Sequence, residues 1–139
     1  MNRALLLFAA AVVSLVLVAP ASTHMGGPVL IIRHQTRGCH TWGLAGGTYK
    51  ASQSMTLTKG EHLMIGNNDV MPHRIVQLAG PALKLGSAAN LNSAGKTIEL
   101  VFKKAGVYRF TTKPGEDYTK GIKTIGEDNV LKLKITVRA

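Results

Sequence analysis

Leu131-Lys132-Leu133-Lys134-Ile135-Thr136-Val137-Arg138, near the end of the chain, alternates apolar and polar residues without a break. Successive side chains of an extended strand point to opposite faces. Leu131, Leu133, Ile135 and Val137 therefore share a face that belongs in a core, and Lys132, Lys134, Thr136 and Arg138 share one that belongs in water. The same period recurs upstream. Thr97 to Lys103 sets Ile98, Leu100 and Phe102 on one face, and Val107 to Thr112, after the turn Lys104-Ala105-Gly106, does so with Tyr108 and Phe110. Leu63 and Ile65 lie one register apart in Glu61 to Asn67, Arg74 to Leu78 follows Pro72, Met55 to Thr58 alternates, and Val29 to Arg33 is apolar and β-branched. Gly, Asn, Asp, Pro and Lys separate these runs. About seven or eight strands, with no helical pattern longer than about two turns, predict an all-β sandwich. Gly80 to Lys96 and Lys113 to Asn129 are the long irregular stretches, each with room for a short helix.

The chain has 139 residues, 45% hydrophobic and 17% charged, a globular composition. Part of the apolar content lies outside any core. After Asn2-Arg3, the stretch Ala4 to Ala19 is interrupted only by Ser14 and leads into Ala19-Pro20-Ala21. A basic start, an apolar centre and a small-x-small end predict a secretory signal peptide over residues 1–21, cleaved after Ala21. The apolar stretch is 16 residues long, short of the ~20 that a spanning helix needs. No cysteine follows it directly, which argues against a lipid-anchored mature end. Residues 22–139 then make one domain, exported to the periplasm or the exterior, with material for a core but not for a second domain.

The formal net charge is +10. The basic residues are scattered, Lys103-Lys104 and Lys132/Lys134 being the densest pairs. Without an arginine-rich run, and with aromatics at 5%, the chain does not read as a nucleic-acid binder. Its charge would draw an acidic protein surface or anionic lipid headgroups, besides aiding solubility.

Two stretches carry the residues with chemistry. His34-Gln35-Thr36-Arg37-Gly38-Cys39-His40-Thr41-Trp42-Gly43 packs two histidines, the only cysteine and the only tryptophan together behind a predicted strand. Asn67-Asn68-Asp69-Val70-Met71-Pro72-His73-Arg74-Ile75-Val76 brings His73 to the start of another strand through a polar loop and a proline. A single cysteine forms no internal disulfide, so Cys39 is either a buried inert thiol or is taken up by a metal or another chain. Catalytic constellations are poor. Glu116-Asp117 and Glu127-Asp128 read as turn residues, no nucleophile elbow or phosphate loop is present, and Cys39-His40 has no nearby acid to orient it as a nucleophile–base pair. The reading is of a protein that is not an enzyme.

Asn67-Asn68-x-x-x-Pro72-His73-x-Ile75-Val76 resembles the cupredoxin segment in which the first histidine ligand of a copper site follows a proline. Gly106-Val107-Tyr108-Arg109-Phe110 resembles the strand that leads to the ligand cysteine in that family. The resemblance runs from about Met55 to Val137 and implies a cupredoxin-like Greek-key sandwich. It also has a gap. The family's cysteine would fall at Thr112 and its second histidine at Gly115, and no methionine follows, so only His73 carries over. The sulfur would then come from Cys39, in a Cys39-His40-Thr41-Trp42 motif similar to that of an atypical cupredoxin-like group, Gly38 and Gly43 letting the loop bend. A copper–thiolate centre takes one sulfur, two imidazoles and a weak axial group. The expected ligands are Cys39 and His73, completed by two of His34, His40 and Met71. Trp42 reads as packing, and His62 as solvent-exposed.

What the resemblance implies is one copper ion cycling between Cu(I) and Cu(II) in one-electron transfer, in a monomer with a redox or copper-exchange protein partner. A copper carrier or metallochaperone is the alternative, and a metal-free interaction module the third. Zinc accepts the same ligand types.

Overall fold

The computed structural model describes residues 26–34, 40–115, 120–121 and 131–139. The predicted signal peptide and Cys39 lie outside them. Nine strands are present among the described residues: β1 Val29–His34, β2 His40–Leu44, β3 Ser52–Thr58, β4 His62–Asn67, β5 His73–Ala79, β6 Asn90–Leu91, β7 Thr97–Val101, β8 Gly106–Pro114 and β9 Lys132–Arg138. A 3-10 turn, Gly86–Ala89, interrupts the first irregular stretch. No helix among the described residues is long and apolar enough to cross a membrane.

The strands form two sheets, ordered β2-β1-β4-β7 and β3-β9-β8-β5-β6. β1 pairs with β4 and β3 with β9 in parallel, and the other ladders are antiparallel. The chain therefore passes repeatedly from one layer to the other, a connectivity of the Greek-key kind. Burial follows the alternation. Leu131, Leu133, Ile135 and Val137 are all buried while Lys132, Lys134 and Arg138 are exposed. Ile98, Leu100, Phe102, Tyr108 and Phe110 join them in one core with Leu30, Ile32, Leu63 and Ile65. Phe102 meets Tyr108 edge-on at 5.0 Å between ring centres, a favoured aromatic geometry.

Nine strands exceed the seven or eight expected, because β2 and β6 were not legible by alternation. In β2 both faces are covered: His40, Thr41, Trp42 and Gly43 are all buried, so no period of two appears. Gly43 is accordingly not a loop hinge. A Cβ there would stand 3.0 Å from the Thr48 carbonyl oxygen and 3.2 Å from the Tyr49 ring, and the missing side chain is what admits that neighbouring segment. Trp42 is fully buried and donates its indole N–H to the Lys132 carbonyl at 3.2 Å, tying the first sheet to the second.

Gly80 ends β5 after an irregular register between Gln77 and Ala79. Its φ is +101°, and a Cβ would lie 2.7 Å from the Val107 carbonyl oxygen. Gly80→Ala is expected to cost about 1–3 kcal/mol of stability, measured as a lowered urea midpoint. An unchanged midpoint would show that β8 yields at this point without penalty.

Candidate metal centre

His34 closes β1 and His40 opens β2, and the two are cross-strand partners, His34↔His40. Both share the inward register of Ile32 and Trp42. His73 opens β5 in the other sheet, opposite Pro114 and Leu91. His40 thus lies between the other two, with His34 beside it on the first sheet and His73 facing it from the second. The His34 and His40 ring centres are 5.7 Å apart, and those of His40 and His73 are 4.9 Å apart. His40 and His73 are buried, whereas His34 is exposed at the rim.

Asp69, which the sequence reading left unassigned, stands between the two buried rings. Its Oδ2 lies 2.6 Å from His40 Nδ1 and 3.3 Å from His73 Nε2. Its Oδ1 accepts from the Met71 backbone N–H at 3.1 Å. The loop holding it is cross-tied: Asp69 N–H donates to Asn67 Oδ1, and Asn67 Nδ2 donates to the carbonyls of Met71 and Leu91. This accounts for the asparagine and the fixed spacing to Pro72-His73 in the quoted motif. Met71, expected as an axial ligand, enters this network through its backbone.

Burial alone would raise the Asp69 carboxyl. The Met71 N–H and the hydrogen bonds from His40 and His73 outweigh that and hold it below its ordinary value of 3.8. It is therefore a carboxylate, which only accepts hydrogen bonds, so both ring nitrogens facing it carry the hydrogen. A neutral His40 then turns the lone pair of Nε2 away from Asp69, and a neutral His73 that of Nδ1. His40 Nε2 is buried with no hydrogen-bond partner among the described residues. Thr41 Oγ1 and Asn90 Oδ1 are the only other such buried side-chain atoms among the described residues. Buried polar atoms are rarely left unpaired, and a histidine anchored to a carboxylate through one nitrogen is the usual arrangement of a metal ligand. Potential ligand atoms of His34, His40 and Asp69 also lie within 4.8 Å of one another.

Burial lowers His73 below its ordinary 6.5, although the Asp69 hydrogen bond opposes this. Both depressed groups give the same sign. Between its folded and unfolded values each binds more protons in the unfolded chain, so stability is present above the unfolded value and lost as pH falls toward the folded one. The metal-free protein is expected to have a lower urea midpoint at about pH 5 than at about pH 7.5, with a smaller difference in His73→Gln. A midpoint that rises on acidification would contradict the assignment.

The remaining sequence candidates separate cleanly. Thr112, at the position of the family's cysteine, is buried and accepts from the Leu131 backbone N–H at 3.2 Å. His62 is exposed on the far face of the first sheet, paired with Glu99 at 2.7 Å.

The sequence matches no protein-family model and no curated protein. Among solved structures, the chain is similar in fold to a purple cupredoxin from Nitrosopumilus maritimus, at 20% identity and TM-score 0.42, covering 78% of this chain and 98% of that one. It is similar to a reduced Cu(I) form of an amicyanin mutant, at 16% identity and TM-score 0.45, covering 85% and 88%. A fern plastocyanin mutant matches at 14% identity and TM-score 0.42, covering 79% and 99%. In fold, the chain is similar to cupredoxins.

Proposed function

We propose that this is an exported copper-binding protein of one-electron transfer. Cys39, His40 and His73 are its principal ligands, and His34 or Met71 completes the set. The observation that carries the proposal is His40 Nε2, buried and unpartnered among the described residues while Asp69 holds the other ring nitrogen. The donor chemistry fits copper: a thiolate with two imidazoles is a set that copper favours among divalent metals. Cys39, the only sulfhydryl of the chain, immediately precedes His40 in the sequence. The likeness of Asn67–Val76 and Gly106–Phe110 to cupredoxin segments supports the same reading.

Copper held there supplies a one-electron couple. The chain's own part is to keep the ligands still. His40 and His73 begin strands of different sheets and share one carboxylate anchor, so neither ring turns without breaking a hydrogen bond in a buried site. A ligand frame that does not move between oxidation states needs little reorganisation per transfer. Burial of both rings favours electron transfer over copper carriage, which calls for ligands open to an acceptor. Export, with residues 1–21 removed, belongs to the same proposal.

The test is the visible spectrum of the purified protein loaded with Cu(II). An intense thiolate-to-copper band is expected. A featureless spectrum with tight Cu(I) binding would replace electron transfer by copper carriage, and failure to bind either ion would overturn the metal reading altogether.

A further inference from the structure

The cations that look scattered in the sequence converge in the fold. Arg74, Arg109, Lys113, Lys132, Lys134 and Arg138 are all exposed on β5, β8 and β9, in register positions that alternate with buried residues. They therefore lie on the outer face of the five-stranded sheet. Arg109 stands directly opposite Lys134, and Arg74 directly opposite Lys113. Like charges paired across a ladder destabilise a sheet, so the opposition of Arg109 and Lys134 does not serve folding.

Among the described residues, no acid is paired with Arg109, Lys132 or Lys134. Asp69 is buried in the candidate centre, Glu99 is on the other sheet beside His62, and Glu61 sits in the turn after β3, accepting from the Thr58 N–H. The edge strand β3 adds only hydroxyl residues outward: Ser52, Ser54, Thr56 and Thr58. Leu78, 62% exposed, and Val107, 43% exposed, provide apolar contacts within the basic field. A shallow groove crosses it, lined by Ser52, Ser54, Leu78, Arg109, Lys132 and Lys134. The field also reaches the functional end of the molecule, since Lys113 precedes Pro114, the cross-strand partner of His73.

We infer that the outer face of the five-stranded sheet is a docking surface for an acidic protein. Charge complementarity selects an anionic partner and would steer its approach. The composition of the face selects protein over membrane. Surfaces that settle into a bilayer interface use several Trp, Phe or Leu inserted among lipids. Among the described residues of this face, by contrast, no outward position is aromatic, Leu78 is the one exposed leucine, and the edge strand β3 presents only serine and threonine outward. The inference stands on charge and register and does not depend on the metal reading.

The purified protein is titrated with poly-L-glutamate at low ionic strength, followed by backbone amide shifts. Shifts are expected on β8 and β9 around Arg109, Lys132 and Lys134, and not on β4 or β7. Affinity is expected to fall about 10-fold or more when salt is raised to about 0.2 M. The double variant Arg109→Ser/Lys134→Ser should lose about 10-fold in affinity, while Lys103→Ser/Lys104→Ser, removing the same charge elsewhere, should lose less than about 2-fold. Arg109→Ser alone should raise the thermal midpoint by relieving the opposed pair; a role in packing would lower it and remove the argument. Equal losses in the two double variants would reduce the effect to net charge. Binding to phosphatidylglycerol-containing vesicles without binding to polyglutamate would assign the face to a membrane. Either result overturns the proposal.

Discussion

Cys39→Ser, loaded with Cu(II), is expected to show no thiolate-to-copper absorption at all. The chain has no second sulfhydryl to substitute, and serine oxygen does not give the same charge-transfer band, so the loss is complete rather than graded. His73→Ala and His40→Ala should each weaken Cu(II) binding. Combined with Cys39→Ser they should cost much less than the sum of the separate losses, as residues serving one ion do. His62→Ala is the control. Its ring pairs with Glu99 on an exposed face of the other sheet, so the spectrum should match wild type and stability should change by about 0.5 kcal/mol or less. Full absorption in Cys39→Ser, or damage in His62→Ala equal to that in His73→Ala, would refute the ligand set while leaving the sandwich untouched.

Asp69→Asn is expected to lower copper affinity by roughly 10–100-fold, the usual consequence of removing the carboxylate behind a histidine ligand. The substitution keeps the shape of the side chain. It removes the charge and half of the acceptor capacity, and one amide hydrogen now competes for a place between two rings and a backbone N–H. A buried donor that loses its acceptor costs about 1–3 kcal/mol, so the metal-free variant should also have a lower urea midpoint. Copper competition titration and urea unfolding read the two effects separately. A destabilised variant with wild-type copper affinity would confine Asp69 to holding the loop, and neither ring would then need its anchor to bind metal.

The two tests bear on different parts of the proposed centre, and their agreement would fix how it divides its work. Cys39→Ser reports whether the sulfur reaches the ion. Asp69→Asn reports whether the imidazoles arrive already oriented. If copper affinity falls in the second variant while the thiolate band survives at saturating copper, the carboxylate sets affinity and the sulfur sets the electronic character of the centre. That separation follows from the hydrogen bonds of Asp69 to both imidazoles.

Most of the sandwich was determined by sequence alone, because period-two burial is a local property. Leu131–Val137, Thr97–Phe102 and Val107–Phe110 announce their faces whatever lies across from them, and each is buried as alternation requires. The histidines were legible for a similar reason: His73 is delivered by its own proline, and His40 adjoins the only cysteine. β2 was not legible, since its second face is covered by Thr48 and Tyr49, which no local pattern in His40–Leu44 reveals. Asp69 lies four residues before His73, and that spacing was its only sequence signal. Its role appears only where the loop between β4 and β5 meets the start of β2, 29 residues away in the chain. The basic face was hidden in the same way. Arg109 and Lys134 are far apart in sequence and become opposed partners only through the β8–β9 ladder. Strand formation is decided by neighbours along the chain, whereas the tautomer of a buried imidazole and the charge of a surface are decided by neighbours in space, and only the tertiary structure supplies those.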